Sequence, residues 1–296
     1  MLYQQLVNGV LLGATYALFA LGFTLMFGVL RVVNLTYGFY FSAGAFIALF
    51  LTRGAGLGIW TALPVAAIGA GLIAVVIDWL LLTRLRRVQA PELASLMVTL
   101  GAVLALYAGA TAILGSDIRR LPADLVASEA WVLPIGDGVR ITSAQFIILG
   151  ATILLGGGLI ALVRGTRLGL AIRAMAERPD TAGLMGIDTG RLAAGVSFLS
   201  GALAGAGGVL IGLNFNAIHP YMGESMMLRG FVVIIAGGLG DIRGAVIAGF
   251  LLGFIEVFTA GYIDSGLKEA VAFSILVVVL WTKPAGLFGY ATVRRA

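Results

Sequence analysis

The sequence predicts an all-α polytopic membrane protein, a single domain of 1–296 with about eight to nine transmembrane helices, a Gly-broken late helix and one long basic loop. Three observations predict it. Of the 296 residues 60% are hydrophobic and 11% charged, with a mean hydropathy of +1.06, whereas soluble domains carry about 25% charged residues. Apolar runs close to the roughly 20 residues that cross a bilayer as helix recur along the whole chain. Glycine is abundant, 43 residues against 7 prolines, as suits helices that pack backbone to backbone through small residues.

The first run, 6–29, has no basic residue before it and no small-residue cleavage site after it, so it reads as a retained span and not a signal peptide. Runs at 35–52, 59–82, 93–115, 143–163, 191–213, 245–262 and 267–282 follow. A shorter apolar piece, 227–239, breaks at GGLGDIRGA and reads as a half-helix that either crosses or re-enters. The basic segments 83–89, Arg164 to Arg191 and the tail ending VRRA belong on the cytoplasmic side. That places the N-terminus outside and calls for an odd number of crossings. The loop 116–142, with mixed charge, is then external.

An internal echo runs through the chain. NGVLLGATYALFALG (8–22) and SGALAGAGGVLIGLN (200–214) are both small-residue helices, each followed by a Gly-interrupted apolar segment. Transporters built from repeats show such paired interruptions, but Gly-rich composition produces them too.

The charge of +5 sits in short loops between spans, where it sets orientation and does not imply nucleic acid. With no cysteine and one histidine, thiolate and histidine-cluster metal sites are excluded. There is no G-x-x-x-x-G-K-[ST] loop to cradle ATP phosphates, the only lysines being Lys268 and Lys283. GxSxG and HExxH are also missing, which leaves an intramembrane enzyme without candidate residues.

The most informative polar piece is RGTRLGLAIRAMAERPDTAGLMGIDTGRL, 164–192. Leu168 to Met175 predicts one short helix, and Pro179 starts another with Asp180 in its first turn, ended by Gly183 and Gly186. A plain helix–helix connector needs only about 2–8 residues. This loop reads either as an amphipathic surface on lipid head groups or as a docking element, with Ala174, Met175, Ala182, Leu184 and Ile187 as its apolar anchor and the arginines as its rim. Its pattern G-L-A-I-R-A-(x)7-A-(x)3-G-I, Gly169 to Ile187, resembles the cytoplasmic coupling loop of permease subunits of bacterial ABC importers of the branched-chain amino acid (LivH/LivM) type. The opening NGVLLGATYALFALGFTLMFGVLRVVN, the late GLGDIRGAVIAGFLLGFIE (238–256) and WTKPAGLFG (281–289), with Lys283 where the family has Arg, resemble the same family in the same order, most like its LivH-type subunit.

The resemblance implies a multi-pass protein of the bacterial inner membrane that pairs with a second homologous permease, docks two ATPase subunits and receives cargo from an extracytoplasmic binding protein. It implies no cofactor on this chain, ATP and Mg being held by the ATPases. Gly169, Arg173, Ala174, Ala182, Gly186 and Ile187 occupy the coupling-loop positions. Where the family commonly has N-x-A-H-G-E after the first helix, this chain has Asn34-Leu35-Thr36-Tyr37-Gly38-Phe39, without the His and the acid. Asn34, Tyr37 and Gly38 are path candidates by resemblance; Tyr37, Phe39, Tyr40 and Phe41 equally suit packing against helices or lipid. Gly237, Gly238 and Gly240 are path candidates on the broken-helix argument.

Ionisable residues inside apolar runs are costly and therefore informative. Asp78 reads as an end-of-helix charge near Arg84, Arg86 and Arg87; Glu256 either pairs with another helix or faces a cavity; Asp241 and Arg243 suggest an ion pair across a turn; Glu224 and Arg229 flank an outward loop, within reach of a binding protein. His219 reads as a loop residue. The expected cargo is a branched-chain or other hydrophobic amino acid, with urea, short amides and aromatic carboxylates handled by near relatives. A rival class is an ion-coupled secondary transporter using Glu256 and Asp78, which would not need the long coupling loop; another is a purely structural assembly subunit.

Overall fold

The computed structural model describes residues 2–30, 32–88, 90–122, 130–133, 139–283 and 286–288. Asp124, Glu129 and Asp137 of the loop 116–142 and the tail after 288 lie outside the described residues. Helix α1 (Leu2–Leu30) is followed by α2 (Tyr37–Gly54) and α3 (Ile59–Ile77), which continues through a π turn, Asp78–Leu82, into α4 (Thr83–Arg87). Then come α5 (Glu92–Leu114), a hairpin of β1 (Ala130–Leu133) and β2 (Val139–Thr142), and α6 (Ser143–Gly165). Two short helices, α7 (Arg167–Glu177) and α8 (Pro179–Leu184), lead to α9 (Thr189–Phe215), α10 (Met222–Gly237), α11 (Ile242–Tyr262) and α12 (Lys268–Thr282). Among the described residues seven helices are long and apolar enough to cross a membrane by length and composition; α2 and α10 fall short of those limits.

The packing is built on glycine. A Cβ at Gly253 would strike the backbone of Gly13, and one at Gly249 would sit 2.7 Å from Ala17 Cα, so α1 and α11 lie in backbone contact along their length. The same holds for α9 on α3, where Gly201 faces Ala70 and Ala74 and Gly205 faces Ala66 and Ala70. Water offers no driving force between helices in a bilayer, so close van der Waals approach of this kind supplies the association energy.

These contacts also settle the internal echo. The register that aligns 8–22 with 200–214 places Gly9 on Gly201 and Gly13 on Gly205, and each glycine pair makes the equivalent contact in its own half. α1 packs on α11 as α9 packs on α3, and α2 packs on α9 as α10 packs on α1. α1 and α9 run in opposite directions, so the halves are inverted copies about an axis in the membrane plane. The axis passes where the starts of α2 and α10 meet, with Gly38 and Gly223 in mutual backbone contact and Ser42 Oγ accepting from Gly223 N at 3.0 Å. Each of these helices follows an irregular lead-in, 32–36 and 216–221, in which Asn34, Thr36, Ile218 and Pro220 are buried.

The basic segments gather at one end. The turn at Leu239 and Gly240 meets Phe27 and Gly28 of α1, Leu93 of α5 and Ala176 of α7, and Leu287 N and Phe288 N bond to the carbonyls of Ala236 and Gly237 at 2.8 and 3.1 Å. The N-terminus lies at the other end, where Gly261 approaches Gln5. Among the described residues the chain passes between the ends nine times. The half-helix expected at 227–239 is the latter part of α10, which starts at Met222.

Two charged pairs differ from expectation. Asp241 makes no ion pair with Arg243 among the described contacts; its carboxylate caps α11, accepting from Arg243 N at 2.7 Å and Gly244 N at 3.0 Å. Asp78 does pair with Arg86, at 2.6 Å, but as a buried group in the π turn and not as a head-group charge.

Candidate functional site: a charged cavity and a basic helical loop

A cavity of about 600 Å³ opens at the end opposite the basic loops, between α1, the end of α9, α10 and α11. Its polar wall includes Tyr16, Arg229 and Glu256, which belong to a chain of bonded side chains on four helices. Tyr16 on α1 donates its hydroxyl to Glu256 Oε2 on α11 at 2.7 Å. Arg229 on α10 donates Nε to Glu256 Oε1 at 3.0 Å, Nη1 to the Ser225 carbonyl at 3.2 Å and Nη2 to Glu269 on α12 at 2.8 Å. The Gly13–Gly253 contact sets this geometry, because only backbone-to-backbone approach of α1 and α11 brings Tyr16 within reach of Glu256.

Glu256 is 3% exposed. A bare carboxylate there would cost several kcal/mol, and the Arg229 ion pair with the Tyr16 hydrogen bond offsets that cost. Glu256 therefore does both things expected of it: it pairs with another helix and lines the cavity. Arg229 corrects its sequence reading, since it is drawn into the bundle by Glu256 and is not a free loop charge; Glu224 remains exposed. His219 is a loop residue on the cavity rim, and its burial pushes the imidazole below its ordinary pKa. Sequence reasoning missed Tyr16 and the Arg229–Glu256 pairing. The available signal was an Arg and a Glu, each isolated in an apolar run, which a bilayer forces to find one another.

The other path candidates lie away from this cavity. Asn34 is buried in an Asx turn, its Oδ1 accepting from Thr36 N at 3.0 Å and Thr36 Oγ1 at 2.5 Å. Tyr37 is fully buried; its hydroxyl donates to the Phe19 carbonyl at 2.9 Å and its ring stacks on Phe23 at 5.1 Å. With Tyr40 and Phe41 equally buried, the aromatic cluster is interior helix packing. Gly38 is at the axis contact. Gly237 packs against Gly244, Gly238 against Gly286, and Gly240 has φ +87 beside Gly28, so all three serve a tight turn, and Gly240 lines a pocket at the basic end.

In the basic loop Thr166 caps α7, accepting from Gly169 N at 3.0 Å. Gly169 fits where any Cβ would strike the Leu162 and Val163 carbonyls, so it fixes the α6–α7 corner. Gly186 ends α8 at φ +85, a conformation that costs a residue with a Cβ roughly 1–2 kcal/mol. Arg173 points out, Ala174 and Ile187 are half-buried, and Ala182 is buried. The expected apolar anchor shifts accordingly. Met175 and Ala182 face the bundle, while Leu168, Leu170, Leu184 and Met185 are exposed among the arginines.

A glycine-packed inverted-repeat bundle with a polar cavity at one end and an apolar, arginine-rimmed helical loop at the other has the architecture of a membrane transport subunit. The chain belongs to the family described as branched-chain amino acid transport system / permease component, whose model matches residues 5–280. It is a multi-pass inner-membrane protein. The high-affinity branched-chain amino acid transport system permease protein LivH of Escherichia coli (strain K12) is 32% identical, over 99% of this chain and 97% of LivH. BraD of Pseudomonas aeruginosa, with the same descriptive name, is 30% identical over the same shares. The LivM permease protein of E. coli K12 is 27% identical over 80% of this chain and 59% of LivM. No solved structure matches the chain.

Proposed function

We propose that the chain is the LivH-type permease subunit of an ATP-binding-cassette importer for branched-chain or other hydrophobic amino acids. The single observation that carries this reading is the loop 164–192, in which two short helices turn Leu168, Leu170, Leu184 and Met185 outward within a ring of arginines at the basic end. In this reading the loop docks one of two ATPase subunits, which hold ATP and Mg; a second homologous permease completes the path, and a binding protein delivers cargo to the opposite end. Closure of the ATPases pushes α7 and α8, and α7 passes the motion to α6 and α1, on which it packs. The ion-coupled alternative is not favoured, because Glu256 and Asp78, its candidate ion sites, are each already engaged by an arginine.

Co-purification of the tagged chain from its host tests this. Two ATPase subunits and a second permease are expected to remain bound, and replacing Leu184 and Met185 by Asp should release the ATPases while leaving the chain inserted. A chain that purifies alone and moves solute down an ion gradient would overturn the reading.

A further inference from the structure

The charged cavity has a feature that its structural role does not use up. A guanidinium carries five N–H donors; Arg229 commits three, to Glu256, the Ser225 carbonyl and Glu269, leaving one on each Nη. Its two carboxylate partners are unequal. The Glu256 side chain is 4% exposed and locked by Tyr16, whereas that of Glu269 is 59% exposed on α12, the least buried of the candidate spans. An ion pair to an exposed carboxylate is held only weakly, so Glu269 is readily exchanged. Glu256 keeps the guanidinium plane fixed while that happens. The cavity it lines is also lined by Phe41 and Ile211 and, on its own helix one and two turns earlier, by Met226 and Met222.

We propose that Arg229 is the receptor for the carboxylate of a small solute with an apolar tail, that the solute carboxylate displaces Glu269 from Arg229, and that the apolar lining with its two methionines takes the tail. The assignment deepens the importer reading and rests on it for the cargo class. Arg suits the task because its planar fork matches a carboxylate in two parallel hydrogen bonds. Methionine suits the wall because its flexible thioether adapts to tails of different branching. Lys268, on the rim, adds a second positive charge. The same geometry disfavours urea and short amides, which bring no charge to replace that of Glu269.

The test measures thermal unfolding of the purified permease assembly titrated with L-leucine or L-leucinamide. Leucine is expected to raise the midpoint and leucinamide not. In Glu269→Gln the leucine concentration giving half the shift should fall about three- to tenfold. In Arg229→Met with Glu256→Gln, where no buried charge is left unpaired and Tyr16 keeps an acceptor, the leucine shift should vanish while the unliganded midpoint stays measurable. Equal shifts from both compounds, an unchanged half-point in Glu269→Gln, a leucine shift surviving in the double variant, or no shift in any protein would each overturn the assignment. Co-purification of the ATPases is independent of all these readings, so the importer reading and the Arg229 site fail separately.

Discussion

Asp78 and Arg86 show how little margin a charge has inside this bundle. Asp78 Oδ2 accepts from Arg86 Nη2 at 2.6 Å, yet Asp78 Oδ1 and Arg86 Nη1 are buried without a hydrogen-bond partner. Removing only the cation strands a buried carboxylate, so Arg86→Leu should cost about 3–5 kcal/mol, whereas Asp78→Leu with Arg86→Met should be close to neutral; thermal midpoints of the two variants check this. His219 makes a pH prediction. Burial holds its folded pKa below 6.5, so above about pH 6.5 it is neutral folded or unfolded and contributes nothing. As pH falls through 6.5 the unfolded chain takes up the proton first, and stability is lost until the folded pKa is passed. The midpoint of the natural protein should therefore fall more between pH 7 and pH 5 than that of His219→Gln.

At the scale of elements, close approach decides which helices pair. Gly208 lies where any Cβ would overlap the Phe41 carbonyl, and Gly44 where one would overlap the Gly205 backbone, so α2 and α9 cross in direct backbone contact. Gly208→Ala should push them apart and cost about 1–3 kcal/mol, the usual penalty for overpacking, seen as a lower thermal midpoint. Gly101 on α5, with open space around it, should accept Ala without loss. The α6–α7 corner makes a different prediction. Gly169→Val, blocked by the Leu162 and Val163 carbonyls, should tilt α7 and reduce ATPase co-purification severalfold while membrane insertion is unchanged.

For the whole molecule, Leu2 and Phe288 lie at opposite ends, with nine passages between them among the described residues. The chain has no cysteine, so single cysteines report sidedness cleanly. Leu184→Cys and Val88→Cys should react with a membrane-impermeant maleimide from one side, and Ile118→Cys from the other, all three positions being exposed. Labelling of all three from the same side would sink the nine-pass arrangement.

The sequence by itself determined the membrane class, the positions of the long spans, the common side of the basic loops and the two short helices within 164–192. Each follows from local quantities that no distant contact can override: apolar length against bilayer thickness, charge in short loops, and Pro and Gly at helix ends. Only the tertiary structure decided the rest. Tyr37 and Asn34, legible as path residues, are interior packing, because a period-3.6 pattern cannot distinguish a helix face that meets protein from one that meets a channel. Arg229, legible as a loop charge, joins Glu256 across 27 positions of sequence, because in a low-dielectric bundle an isolated charge is stable only beside its opposite, and which opposite it meets depends on how the glycines let the helices approach. The same approach, repeated in both halves, turns a weak echo of small residues into a two-fold fold.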